Sequence, residues 1–375
     1  MSEMMISADD HIDLGYLPGD LWTERLPRRL QERGPHVEER DGRELWICDG
    51  KVWSEWRLGH WFTDSWRHRV ALDRVPFDGN PSLRPTTPHL RIEDMARDGV
   101  EASVLFPPIF GMRTMDRELA EAMVCAYNDW SAEFTRAAPK QLICVAQLFP
   151  DDAEASTREV RRAAEMGLKQ VNFLVGTVTP EMYQEAWDPF WATAEEAGII
   201  VSYHAGGVSK TGTFEPDRGP KLARAPMISM GLSNGATQFY DPFVGLFAYG
   251  ILERHPNLKF ILGESGTGWV PFVVQEMDYR FHRALETTSR EDFPLKRLPS
   301  EIFREQVWAT YQQDRVGLAL TNFFGEGHMM WASDYPHPDS TWPDSQAIVA
   351  KETVGLDPRV KQGILRDNAK ALYGI

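Results

Sequence analysis

A chain of 375 residues with 42% hydrophobic and 25% charged side chains has the make-up of a folded globular protein with a sizeable core, which excludes a disordered tail or a fibrous repeat. Lys and Arg number 40 against 55 Asp and Glu, a formal charge of −15, so the surface as a whole repels nucleic acid and anionic membranes and neither is expected as a partner. Cys48, Cys125 and Cys144 are scattered, with no Cys-x-x-Cys pair, and suit a reducing cytoplasm.

The first ten residues are acidic where a secretory leader is basic and then apolar, and no stretch approaches the ~20 apolar residues of a membrane span, so a soluble cytoplasmic protein is expected. A first strand is predicted over Ile6–His11. Residues 14–88, rich in Pro and Trp, then interrupt the pattern. From there, predicted strands at Ala102–Phe106, Leu142–Leu148, Gln170–Leu174, Ile199–His204, Phe260–Glu264, Val307–Thr310 and Met329–Asp334 alternate with amphipathic segments. The segments predicted as helices are Met115–Ala138, Ala153–Met166, Pro189–Ala197, Phe243–Arg254, Trp269–Leu285, Arg315–Phe324 and Asp357–Leu372. This alternation predicts an α/β fold, a single (β/α)8 TIM barrel over residues 1–375 with active-site residues where the strands end. A doubly wound open sheet is the rival, and it usually carries a Gly-rich phosphate loop after its first strand, absent here. The stretches 14–88 and 205–235 are expected as insertions over the C-terminal face, shaping a pocket.

The strand ends carry the chemistry. Along Ile6–His11 alternation sends Asp9 and His11 to one face and Asp10 to the other. Alone, an Asp-x-His tripeptide reads as readily as a cap or loop, and His204 as a core histidine. Glu264 and Asp334 end two further strands at the same height, where an unpaired buried carboxylate costs several kcal/mol. Five such donors converging on one mouth point to a mixed nitrogen and oxygen site for a divalent metal.

Asp9-x-His11, His204, Glu264 and the Ala-Ser-Asp-Tyr-Pro-His run around Asp334 resemble, in order and strand assignment, the motifs of the amidohydrolase superfamily. The similarity is to its amidohydrolase-related branch, which includes aminocarboxymuconate-semialdehyde decarboxylase and the resorcylate decarboxylases. The resemblance implies that Asp9, His11, His204 and Asp334 hold a divalent metal, zinc or manganese. That branch carries a histidine at the position of Glu264, which here is left as general base, extra ligand or bridge between two metals. No lysine ends the fourth barrel strand, and Asn172 is expected to line the pocket instead. His282 is a candidate additional ligand, set against the plainer reading of a helix-surface histidine.

Two readings follow for the reaction: metal-activated hydrolysis, or non-oxidative decarboxylation, of a small carboxylated or aromatic molecule, with Asp334 or Glu264 moving the proton. The alternative is a dinuclear iron or iron–manganese oxygenase on the same barrel, with Glu264 bridging. Trp46, Trp53, Trp56, Trp61 and Trp66, beside Arg57, His60, Arg67 and His68, suggest an aromatic lid in which Arg57 or His60 meets a substrate carboxylate. A packed minicore or a subunit contact is the plainer reading, and a homo- or hetero-oligomer is left open.

Overall fold

A computed structural model describes residues 4–57, 71–77, 81–108, 114–206, 233, 235–325 and 327–375. Its strands, in chain order, are β1 (Met5–His11), β2 (His36–Arg40), β3 (Arg43–Cys48), β4 (Lys51–Glu55), β5 (Val100–Phe106), β6 (Leu142–Cys144), β7 (Ala146–Gln147), β8 (Gln170–Leu174), β9 (Ile200–His204), β10 (Phe260–Gly263), β11 (Val307–Tyr311) and β12 (Met329–Trp331). Apart from β2–β4 they pair in parallel, as β1-β5-β6 and as a six-stranded sheet β12-β11-β10-β9-β8-β7. The protein is therefore α/β with parallel sheets, as the alternation predicts.

Only Val145 separates β6 from β7, and its N–H donates to the Leu105 carbonyl at 2.9 Å. Beyond β12 the backbone turns to β1, where Asp334 N–H donates to the Asp9 carbonyl (2.9 Å) and His11 N–H to that of Tyr335 (2.8 Å). Alternate residues of the strands, among them Ile6, Ala8, Val104, Ile143, Ile261 and Met330, form an inner apolar cluster. The last helix, Asn368–Tyr373, closes that cluster with Leu372 and Tyr373. The opposite faces pack against the helices in a second, larger cluster. Each such side chain fully removed from water contributes about 1.5–3 kcal/mol.

One irregularity positions the site. β1 pairs Ser7 with Ser103 but Asp10 with Leu105, so β1 carries one extra residue between them. Ile6 and Ala8 face the inner cluster, and plain alternation would send Asp10 after them. The extra residue reverses the parity, turning Asp9 and His11 inward and Asp10 outward.

The region 14–88 contains regular structure that its Pro and Trp content concealed, an antiparallel meander β2-β3-β4. Its turns are Asp41-Gly42 and Asp49-Gly50, with φ of 53° and 72°, then 52° and 72°, the left-handed pair a tight hairpin requires. Trp46 is buried, its indole N–H donating to the Leu14 carbonyl (3.0 Å) and its ring set edge-on to Trp22 and Trp56. Trp56 donates to the Leu17 carbonyl at 2.8 Å. These rings make a minicore, the plainer of the two readings. Trp61, Trp66, His60, Arg67, His68 and most of 205–235 lie outside the described residues.

Helices follow the predicted segments, with breaks. The segment Phe243–Arg254 becomes Thr237–Ala248 and Ile251–Arg254, divided at Gly250, whose φ is 67°. Among the described residues no helix is long and apolar enough to cross a membrane.

At the end of helix Pro88–Arg97, Asp98 is buried and accepts the Ser345 N–H at 2.9 Å. Burial pushes its carboxyl up to about 7. The folded state then binds a proton between the ordinary carboxylate range and pH 7 that the unfolded chain does not, so this group's contribution falls as pH rises through that window. Asp98→Asn is expected to gain on the wild type as pH rises from 4 to 7, measured by urea midpoints across that range. A difference independent of pH would contradict the assignment.

Candidate metal centre

β1 brings two polar side chains to one end of the parallel sheets, and β9, β11 and the turns after β10 and β12 bring one each. Asp9 Oδ1 lies 3.2 Å from His204 Nε2 and 3.5 Å from His11 Nε2. His11 Nε2 is 3.2 Å from Asp334 Oδ1, and Glu264 Oε2 is 3.7 Å from His204 Nε2. Asp9, His11, His204 and Asp334 are buried, whereas the Glu264 side chain is 28% exposed. The five sequence-predicted donors are thus brought together. Glu264 and Asp334 sit at φ 48° and 61°, a left-handed conformation that non-glycine residues adopt at a cost and that clusters at functional sites.

The surrounding hydrogen bonds set the direction of the free lone pairs. His204 Nδ1 lies 2.6 Å from the Ala205 carbonyl, a contact that assigns the proton to Nδ1 and leaves the Nε2 lone pair facing Asp9. Asp9 Oδ2 accepts from the Thr310 hydroxyl (2.9 Å) and from Glu264 N–H (2.8 Å), so Oδ1 alone faces the imidazoles. Both ring nitrogens of His11 and both carboxylate oxygens of Asp334 are buried without a hydrogen bond of good geometry. Buried lone pairs aimed at one another are costly unless a cation lies among them. The donor set, imidazole nitrogens with carboxylate oxygens, suits zinc, manganese or iron, and its candidate ligand atoms lie within 4.8 Å of one another in two groups that share His11: Asp9 with His11 and His204, and His11 with Asp334 and His337. The residues fit a divalent ion.

Gly263 permits this closeness: a Cβ there would stand 2.9 Å from His204 Cδ2 and 3.3 Å from Asp9 Oδ2.

Charges follow from the same contacts. Burial pushes the Asp9 carboxyl up, but His204 and His11 beside it outweigh that and hold it below the ordinary range. For Asp334, burial is likewise outweighed, here by His337 and His11. His11 and His337 are held above the ordinary imidazole value because neighbouring carboxylates overcome burial. Glu264 runs the other way, since the loss of water around its carboxyl and the Asp334 charge beside it push it above the ordinary range.

Three participants escaped the sequence reading. His337 stacks on His11 with ring centroids 3.9 Å apart and places Nδ1 2.8 Å from Asp334 Oδ1 and Nε2 3.1 Å from Asp13 Oδ2. It lies in the Asp-Tyr-Pro-His run already singled out, and its place three residues after Asp334 was the available signal. Thr310 is the inward polar residue near the end of β11 and Asp13 the acid two residues past β1, neither with a local mark.

The remaining predicted residues lie elsewhere. Asn172 is buried with its carboxamide oxygen accepting from the Ser202 hydroxyl (2.8 Å), in register two residues before His204. Arg57 stacks 4.1 Å over Trp56 and lies 4.0 Å from Glu44, within the tryptophan-rich region. His282 is exposed on helix Val270–Ala284, whose buried face carries Val273, Val274 and Phe281, so it is no part of the cluster. The plainer reading of His282 is the one the geometry supports.

A cavity of about 170 Å³ opens beside the cluster, lined by Asp9, Glu264, Thr310, Gln312, Asp314 and Asp334 among others. Asp314 is engaged in shaping it, accepting from the backbone N–H groups of Thr267, Gly268 and Gly317 at 2.7, 2.7 and 2.8 Å.

This arrangement has relatives. A gamma-resorcylate decarboxylase from Rhizobium sp. is 24% identical over 299 residues, 76% of this chain and 86% of that protein. Among solved structures, an amidohydrolase from Mycobacterium avium subsp. paratuberculosis superposes with a TM-score of 0.70 at 21% identity over all of both chains. A 5-carboxyvanillate decarboxylase from Novosphingobium aromaticivorans, complexed with manganese and 4-hydroxy-3-methoxy-5-nitrobenzoic acid, does so at 0.64 with 18% identity, covering 100% of this chain and 96% of its own. Residues 63–375 match the family described as amidohydrolase, a span from the tryptophan-rich region to the last residue, and the chain belongs to that family.

Proposed function

We propose that the protein is a metal-dependent, non-oxidative decarboxylase of a small aromatic carboxylic acid. The observation that carries this reading is the cluster of buried imidazoles and carboxylates facing one another beside a cavity, with His11 and Asp334 left without a hydrogen bond of good geometry, in a chain whose relatives include carboxy-lyases. Asp9, His11, His204 and Asp334 would hold the ion, manganese or zinc. Once bound, the ion supplies the positive charge that orients a substrate carboxylate and stabilises the negative charge left as carbon dioxide departs.

The chain's own groups do the rest. Thr310 and the Glu264 N–H occupy Asp9 Oδ2 and so fix the direction of Oδ1. Glu264, protonated and lining the cavity, delivers its proton to the ring carbon that loses the carboxylate. The carbon–carbon bond breaks, its electron pair takes the Glu264 proton as a new C–H bond, and carbon dioxide leaves. Glu264 recovers a proton through its exposed edge.

The same reading takes the parallel strands as one closed (β/α)8 barrel, supported by the Asp334–Asp9, His11–Tyr335 and Val145–Leu105 backbone bonds. It places the protein in the cytoplasm, in keeping with three unpaired cysteines.

The test is incubation of the manganese-loaded protein with a panel of hydroxylated benzoic acids. Stoichiometric carbon dioxide release is expected, abolished by chelation and restored by manganese. Turnover of esters or amides without carbon dioxide, or dioxygen consumption by protein carrying two irons per chain, would overturn the proposal.

A further inference from the structure

Behind the ligands, on the outward face of β1, one fully buried guanidinium joins the segments that carry them. Arg91, on helix Pro88–Arg97, donates through Nη1 to the His11 carbonyl at 2.9 Å and through Nη2 to Asp10 Oδ2 at 3.2 Å. Longer contacts of 3.4 Å reach the carbonyls of Pro85 and Tyr335, and the guanidinium lies 4.6 Å over the Tyr335 ring. Asp10 in turn accepts from the hydroxyls of Ser7 (2.7 Å), Ser333 (2.6 Å) and Ser103 and from Tyr335 N–H (3.1 Å). His11 is itself a candidate ligand, and Tyr335 follows Asp334 directly.

We propose that Arg91 is a positioning residue for the metal centre, its planar fork fixing the His11 backbone against the Asp10–Tyr335 segment and so setting how far His11 Nε2 stands from Asp334 Oδ1. The inference rests on the metal-binding reading of the cluster. It needs a fork and not merely a charge, because a carbonyl on one segment and a carboxylate on the next are held at once by two N–H groups of fixed geometry. A lysine ammonium is a single point donor on a flexible stem and cannot hold both at their present separation. Supporting groups of this kind orient metal ligands, and their loss typically weakens metal affinity about 10–100-fold.

The experiment is titration of metal-stripped, full-length protein with Mn(II), followed by electron paramagnetic resonance, for wild type, Arg91→Lys and Asn128→Ala. Asn128 is a buried control that bonds Gln147 and Glu159 and takes no part in the cluster. Arg91→Lys is expected to bind Mn(II) about 10–100-fold more weakly, with a changed bound-manganese spectrum. Asn128→Ala is expected to lose thermal stability yet keep the wild-type affinity and spectrum, which separates positioning from general loosening. Wild-type affinity and spectrum in Arg91→Lys would overturn the proposal, as would an equal loss in the control at matched stability. If Arg91→Lys does not fold, Asp10→Asn, which removes the charge anchoring the guanidinium, is read the same way with the same two outcomes. Wild-type protein that binds no Mn(II) would instead overturn the metal-centre reading itself.

Discussion

Replacing Glu264 with glutamine is expected to lower the rate of carbon dioxide release by about 10²–10⁴-fold, the range for losing a positioned general acid, while bound manganese stays in place. Glutamine keeps the length and shape of the side chain but has no acidic proton. The backbone N–H of residue 264 still donates to Asp9 Oδ2 and to the Thr310 hydroxyl, so the variant leaves the ligand cluster braced. The loss should therefore fall on kcat and spare KM. The pH profile gives an independent check. An acid held well above the ordinary range must stay protonated to work, so the wild-type rate of the metal-loaded protein falls as pH rises through that raised value. The variant loses this alkaline limb. A Glu264→Gln protein with wild-type kcat would place the proton donor elsewhere, at Asp334 or at water.

Asp10→Ala is expected to cost about 3–5 kcal/mol, the penalty for breaking a buried ion pair and stranding its partner. Arg91 and Asp10 are 0% and 1% exposed, so neither charge has water to fall back on. The substitution also takes the Asp10 acceptor from the hydroxyls of Ser7, Ser103 and Ser333. Asp10→Asn keeps some of these bonds and should cost less. Urea unfolding midpoints measure both, and an Asp10→Ala loss below about 1 kcal/mol would mean that Arg91 has found another partner.

The polar end of the parallel sheets was legible where the signal was local. An apolar run ending in a polar residue identifies a strand and its exit together, which is why Asp9, His204, Glu264 and Asp334 could be named from their neighbours alone. β8 agrees with its predicted limits residue for residue, and the other parallel strands differ mainly at their ends. What escaped was set by long-range geometry. Asp10 looks like one more acid beside two candidate ligands, and nothing in the sequence pairs it with a guanidinium 81 positions away. His337 becomes visible only when its ring lies on His11. The β2–β4 meander is a different case, because two Asp-Gly turns between short alternating runs were present to be read and were masked by the density of tryptophan. His282 shows the converse hazard: a histidine near a metal-site motif attracts attention, although its neighbour Phe281 is the residue that faces inward.

The single additional residue of β1 decides which of two adjacent acids faces the cluster. Deleting Ala8 would remove the extra residue and leave Asp10 and His11 in their present register with β5, whereas the unchanged sequence paired without the extra residue would send Asp10 inward and Asp9 with His11 toward the helices, with every chemical group still encoded. One sequence thus admits two pairings of β1, and only the pairing with the extra residue gathers the donors.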